Sequence, residues 1–291
     1  MPFLIAVTLL WALSFSLIGE YLAGQVDSYF SVLTRTALAS LLFLPLLRLR
    51  ALPRPMIGGL LLVGALQFGV TYICLYLSFE YISVPEVLLF TIFTPLHIAL
   101  VDNLIRRRFS LGPLVAASIA VVGAGIIRYD GLSDSFIRGF LIMQLANLTF
   151  AAGQVGYAHM VRRYQLTPRN QWQGFGLFFI GAFMVVLPAW LFLGDHSRMP
   201  HTSVQWGVLV WLGVAASGLG FFFWNRGAAQ VDAGTLGVMN NALVPAGLVV
   251  NLVIWNHDAD LLRLGAGSVV IALSLWVNAR WDAWRGAPIK T

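Results

Sequence analysis

The sequence has little charge. Only 10% of its 291 residues are Asp, Glu, Lys or Arg, against 59% hydrophobic, whereas soluble domains carry about 25% charged residues. So little polar surface excludes a water-soluble fold and puts most of the chain in a bilayer. Cysteine is nearly absent. Cys74 stands alone, which excludes an intrachain disulfide and leaves it as a small apolar helix residue. Clusters with metal-ligand spacing and a G-x-x-x-x-G-K-[ST] phosphate loop are both missing, so no metal, cofactor or ATP is expected. A membrane-embedded enzyme is disfavoured as well. The five histidines (His97, His159, His196, His201, His257) are scattered, and no HExxH, Ser/His/Asp set or facing pair of aspartates is evident. No basic stretch precedes the first apolar run, so that run is read as a membrane span rather than a cleaved leader. The net charge of +6 is no nucleic-acid signal, because the arginines sit in short connections between apolar runs.

Those runs predict an all-α integral membrane protein with ten transmembrane helices, at residues 3–20, 29–47, 56–79, 84–104, 110–127, 138–160, 171–193, 204–225, 234–255 and 261–279. Each is close to the ~20 residues needed to cross a bilayer. The loops are short, so successive helices are antiparallel neighbours, and none has room for a soluble catalytic domain. The basic residues set the orientation. Thirteen of the 18 lie in the even-numbered connections and the C-terminus: Arg48, Arg50, Arg54, Arg106, Arg107, Arg108, Arg162, Arg163, Arg169, Arg226, Arg280, Arg285 and Lys290. The odd connections hold only Arg128, Arg138, Arg198 and Arg263, and Arg35 lies inside helix 2. This bias places both termini in the cytoplasm.

The chain also repeats itself. Residues 64–103 form two apolar runs with a hinge at 81–85, and residues 213–256 do the same with a hinge at 230–234. Pro95 in the first copy matches Pro245 in the second. Two domains follow, 1–131 with helices 1–5 and 132–291 with helices 6–10. Five is odd, so the second repeat enters the membrane upside down. Inverted repeats are a common construction of secondary transporters, with the site near the midplane between them.

Polar side chains inside a span are costly and mark cavities or helix contacts. Helical spacing aligns Glu86, Phe90, Phe93 and His97 in helix 4; Gln144, Asn147, Ala151 and Gln154 in helix 6; and Gln67, Thr71, Cys74 and Ser78, flanked by Tyr72 and Tyr76, in helix 3. Helix 8 offers Ser217, Phe221, Trp224 and Asn225, helix 9 Asn240 and Asn241, and helix 1 Trp11 and Ser14. Helices 1, 3, 4, 6, 8 and 9 are therefore expected to line the cavity, while 2, 5, 7 and 10 face lipid, scaffold or a partner. The substrate-binding candidates are Trp11, Ser14, Gln67, Thr71, Tyr72, Tyr76, Phe90, Gln144, Asn147, Gln154, Phe221, Trp224, Asn225, Asn240 and Asn241. The alternative for Asn147, Gln144 and Gln154 is hydrogen-bonded glue between helices. Glu86 and His97 are candidate proton carriers, and Pro95 and Pro245 candidate hinges. Arg35 is expected to pair with Glu20 or Glu86.

Trp11, Ala12, Leu13, Ser14 and Phe15 in helix 1, Arg35 in helix 2, the prolines of helices 4 and 9, and Gly123 and Gly125 in helix 5 come in an order that resembles the EamA branch of the drug/metabolite transporter superfamily. The resemblance covers nearly the whole chain. It departs after helix 4, where the family often has a Glu-Arg pair and this chain reads Arg106-Arg107-Arg108; the matching turn of the second repeat is acidic, with Asp258 and Asp260. It implies a bacterial inner-membrane exporter of amino acids or related metabolites working by alternating access. The alternative is a carboxylate importer in which Arg35 grips the acid. The lining residues include no cluster of cations, which disfavours a phosphorylated substrate.

Overall fold

In a computed structural model, residues 1–82, 87, 90–107, 111–128, 136–254 and 261–284 are described, and every regular element among them is helical. The chain forms ten membrane helices in two inverted repeats of five. In the first repeat these are α1 (Pro2–Tyr21), α2 (Ser28–Phe43), α3 (Arg54–Ser78), α4 (Thr94–Arg106, preceded by a turn at Ile92 and Phe93) and α5 (Leu111–Arg128). In the second they are α6 (Phe136–Arg163), α7 (Pro168–Leu193), α8 (Ser203–Ala228), α9 (Ala233–Asn241 and Leu243–Ile254) and α10 (Leu261–Trp284). Helices α1, α2, α3, α7 and α8 are long and apolar enough to span on length and hydropathy alone.

Local chemistry sets several ends. Asp27, Asp232 and Thr202 cap α2, α9 and α8, each accepting a backbone N–H from the first turn, which satisfies donors that a helix start leaves orphaned. Thr202 and Gln205 form a reciprocal capping box. Outside the helices, Asp27 also ties the α1–α2 loop to the α7–α8 loop, accepting from the Asp195 N–H at 2.9 Å and donating to the Arg198 carbonyl at 2.7 Å.

Two irregularities recur at matching places. The third helix of each repeat widens into a π-helical segment, Ala65–Val70 in α3 and Leu212–Leu219 in α8. The fourth helix breaks just before its proline. Pro95 is the second residue of the segment Thr94–Arg106, and Pro245 the third of Leu243–Ile254. The sequence reading broke each of these helices at its proline, and the break falls just before it. Each proline opens a new segment, in the first turn, where its missing N–H costs nothing.

Packing obeys the same exchange of repeats. α3 packs on α6 as α8 packs on α1, α3 on α7 as α8 on α2, and α4 on α6 as α9 on α1; α2 with α7, α4 with α9, and α5 with α10 pair across the axis. The α3–α7 seam is the closest. A Cβ on Gly64 would stand 1.7 Å from the Phe178 carbonyl oxygen, and one on Gly181 1.9 Å from that of Leu61. Small residues are what let membrane helices approach to backbone contact.

Candidate functional site

Between the repeats lies a cavity of about 620 Å³ of atom-free space, part of it open. Its walls come from α1, α3, α6, α8, α9 and the chain just before and at the start of α4. These are the six helices that the polar pattern singles out. Six of the candidate binding residues line it: Trp11, Thr71, Tyr72, Asn147, Trp224 and Asn240. The remaining wall includes Thr8, Phe15, Thr91, Thr94 and Phe150.

The π segments place two of these groups. A π turn leaves carbonyls off the α ladder for side chains to use. The Trp11 indole donates to the Ala216 carbonyl in the π segment of α8 at 2.9 Å. The Thr71 hydroxyl donates to the Leu66 carbonyl in the π segment of α3 at 2.9 Å and lies 2.8 Å from the Thr149 hydroxyl. Trp11 also packs on Trp224 and Phe221, with ring centroids 4.8 and 5.1 Å apart. Beneath it, Gln154 accepts from the Trp224 indole at 2.8 Å and from the Asn240 amide at 3.5 Å. Asn240 Oδ1 takes no hydrogen bond among the described residues.

The break before α4 is held by two amides from the second repeat. Asn147 donates to the Phe90 carbonyl at 2.8 Å and accepts from the Thr94 hydroxyl at 3.1 Å. Asn241 donates to the Ile92 carbonyl at 3.2 Å. Gln144 accepts weakly from Asn147 at 3.4 Å. The glue reading therefore describes Asn241 and part of Asn147.

The other candidates sit outside the cavity lining. Ser14 bonds back to the Leu10 carbonyl, and Asn225 to that of Phe221. Phe90 stacks edge-on with Phe140, and Phe221 joins the ring cluster around Phe68 and Tyr72. Gln67 is fully buried against Gly153 with neither amide atom bonded among the described residues. The expected stripe from Gln67 to Ser78 fails for a geometric reason. It counts 3.6 residues per turn through Ala65–Val70, where π turns rotate the following residues. His97 turns its ring Nδ1 to the Phe93 carbonyl at 3.0 Å and does not reach the wall. Glu86 lies outside the described residues.

Arg35 departs most from its expectation. It is fully buried and pairs with no carboxylate among the described residues; Glu20 lies exposed on α1. Its Nε donates to the Ser217 hydroxyl at 3.0 Å and its Nη1 to the Tyr76 hydroxyl at 3.3 Å. The guanidinium lies 4.2 Å from the Tyr72 ring centroid and 6.0 Å from those of Phe68 and Tyr76. Desolvated cation–π contacts contribute on the order of 2 kcal/mol, less than the several kcal/mol that burying an ion costs. The sequence missed the apolar wall, because polarity was its marker. Phe15 was within reach at helical spacing, seven residues beyond Thr8 and four beyond Trp11.

The geometry is that of a small-molecule cavity, and known proteins agree. A model of the EamA-like transporter family matches residues 1–129. The chain is 61% identical to the probable biotin transporter of Pseudomonas aeruginosa, over 96% of this chain and 97% of that one. It is 51% identical to the biotin transporter of Escherichia coli K12, over 99% and 95%. One solved crystal structure shares the fold with a TM-score of 0.74 over 95% of each chain, at 18% identity. The chain belongs to the EamA-like transporter family and is a multi-pass membrane transporter of a small metabolite, not an enzyme.

Proposed function

We propose that this protein transports biotin across the bacterial inner membrane, with both termini in the cytoplasm. The observation that carries the reading is identity of 61% and 51% along essentially the whole chain with proteins named for biotin. The amino-acid substrate implied by the family resemblance has no such support. The cavity is in keeping with biotin. A bicyclic body and a four-methylene tail need apolar walls, which Trp11, Phe15, Phe150 and Trp224 supply. A ureido ring needs a few polar partners, and Asn240 Oδ1 is an acceptor with none of its own among the described residues. Apolar walls with sparse, convergent polar groups are the usual pattern of ligand pockets. Transport proceeds by alternating access of the two repeats around this cavity.

The test is radiolabelled biotin flux in proteoliposomes holding the purified chain. Saturable movement, blocked by excess cold biotin and independent of ATP, is expected; no flux above empty liposomes refutes the reading. Loading label inside or outside reads direction. Net outward movement fits the export that the resemblance implies, and net inward movement the carboxylate importer.

A further inference from the structure

Arg35 carries a charge that nothing in the described protein neutralises. A guanidinium stays protonated in proteins, so burial cannot discharge it, and buried ions are normally paired. Here Ser217 fixes Nε, Tyr76 fixes Nη1, and three aromatic rings surround the plane. All these partners are neutral. They hold the cation in place without cancelling it. The nearest ring, Tyr72 at 4.2 Å, belongs to a residue that lines the cavity. The four residues around the guanidinium, Phe68, Tyr72, Tyr76 and Ser217, come from α3 and α8. Ser217 lies within the π segment of α8, and Tyr72 and Tyr76 follow that of α3.

We propose that Arg35 is the carboxylate anchor of the transport site. The anion that the described residues lack is supplied by the acid group of the substrate, which reaches the guanidinium past the Tyr72 ring. The ligand class is a monocarboxylate with an apolar body. Where biotin is named, this rests on the proposed function. A scaffold arginine would instead be expected to bring its own acid, as the sequence reading assumed with Glu20 or Glu86.

The experiment compares ligands that differ only in the acid. The full chain, purified in detergent, is titrated with radiolabelled biotin and displaced with biotin or biotin methyl ester. The wild type is expected to prefer the acid by about tenfold or more, the worth of a charge-assisted hydrogen bond. Arg35→Gln is expected to lower biotin affinity to the level of the ester and leave ester affinity unchanged. Arg35→Lys is expected to recover part of the preference. Parallel loss of both ligands in a monodisperse Arg35→Gln protein makes the arginine scaffold and overturns the proposal. A wild type indifferent to esterification overturns it without any variant, which covers the case where Arg35→Gln does not fold. If folded wild type binds no biotin, the biotin reading fails instead. A panel of other monocarboxylates against their methyl esters then tests the anchor by itself, and indifference across the panel overturns it.

Discussion

Gly64 and Gly181 show how single residues set this structure. Each lets α3 and α7 touch backbone to backbone, and a methyl group at either would overlap a carbonyl oxygen. Gly58 and Gly207 have open space where a Cβ would go. Gly64→Ala and Gly181→Ala are therefore expected to cost at least the 1–3 kcal/mol (roughly) of an overpacked core. Gly58→Ala and Gly207→Ala should leave thermal stability in detergent within error; equal melting of all four would show that the seam relaxes freely. Asp232 acts at the same scale. Desolvation pushes its carboxyl up, but the Thr235 N–H, the Thr235 hydroxyl and the Asn278 amide donate to it at 2.9, 2.7 and 2.7 Å and hold it below the usual carboxylate range. A depressed group stabilises above its unfolded pKa and loses that stabilisation as pH falls through its folded value. Asp232→Ala should cost about 1 kcal/mol at neutral pH, and the gap to wild type should close as pH drops below about 4. A gap that does not narrow at all as the pH of the melts is lowered through the acid range contradicts this. The sequence reading did not single out Gly64 or Gly181 and took Asp232 only as part of a hinge, since neither residue type shows which element it will meet.

At the scale of elements, a broken helix needs its freed carbonyls satisfied. The prolines were legible in the sequence, but the groups that complete the break were not, because they come from helices far along the chain. Asn241 reaches back 149 residues to the Ile92 carbonyl. Gly237 on α9 brings the two broken helices together, its Cβ position 3.1 Å from Cβ of Pro95. The break in α4 is thus specified by Pro95 and by two asparagines. Pro95→Ala alone leaves both amides bonded, and its new N–H sits where a helix start leaves donors orphaned anyway. It should fold and turn over close to wild type. Asn241→Ala should cost about 1 kcal/mol, within the range measured for interhelical hydrogen bonds in membranes. It should slow biotin flux more than it weakens biotin binding, since Asn241 is outside the cavity wall. Binding in detergent paired with flux in proteoliposomes decides the matter. A larger flux defect in Pro95→Ala than in Asn241→Ala would return the hinge to the proline itself. The π segments were equally invisible, because apolar periodicity barely distinguishes 3.6 from 4.4 residues per turn over six or eight residues.

For the whole molecule, the sequence showed a repeat through two prolines and a charge bias, and the structure shows it as paired packing of every helix. α5 and α10, nearly blank in the polar pattern, are each other's main neighbours, the scaffold role that the sequence offered beside lipid or a partner. Exchange of the two halves relates them by an axis in the membrane plane, so the orientation of one repeat fixes the other. The arginine distribution supplies the sign. With 13 basic residues against 4, and the orientation bias acting through short loops near helix ends, the connections after α2, α4 and α6 are expected in the cytoplasm, as the proposed function has it. The contacts at the inner ends are consistent with a basic rim, where Arg106 pairs with Asp102 at 2.8 Å and Arg162 bonds the Ala229 and Val231 carbonyls of the α8–α9 turn. Reporter fusions after residues 50, 108 and 165 should report cytoplasm, and those after 132 and 198 the far side. The fusion after 165 is the most informative, because it lies in the second repeat while those after 50 and 108 lie in the first. Were the repeats parallel, the even connections of the second half would appear outside. A cytoplasmic signal at 50, 108 and 165 together with an external one at 132 and 198 requires an odd number of spans in each half and one orientation for the dyad. The fully swapped pattern would keep the inversion and reverse the protein in the membrane, and with it the side from which the cavity first receives substrate.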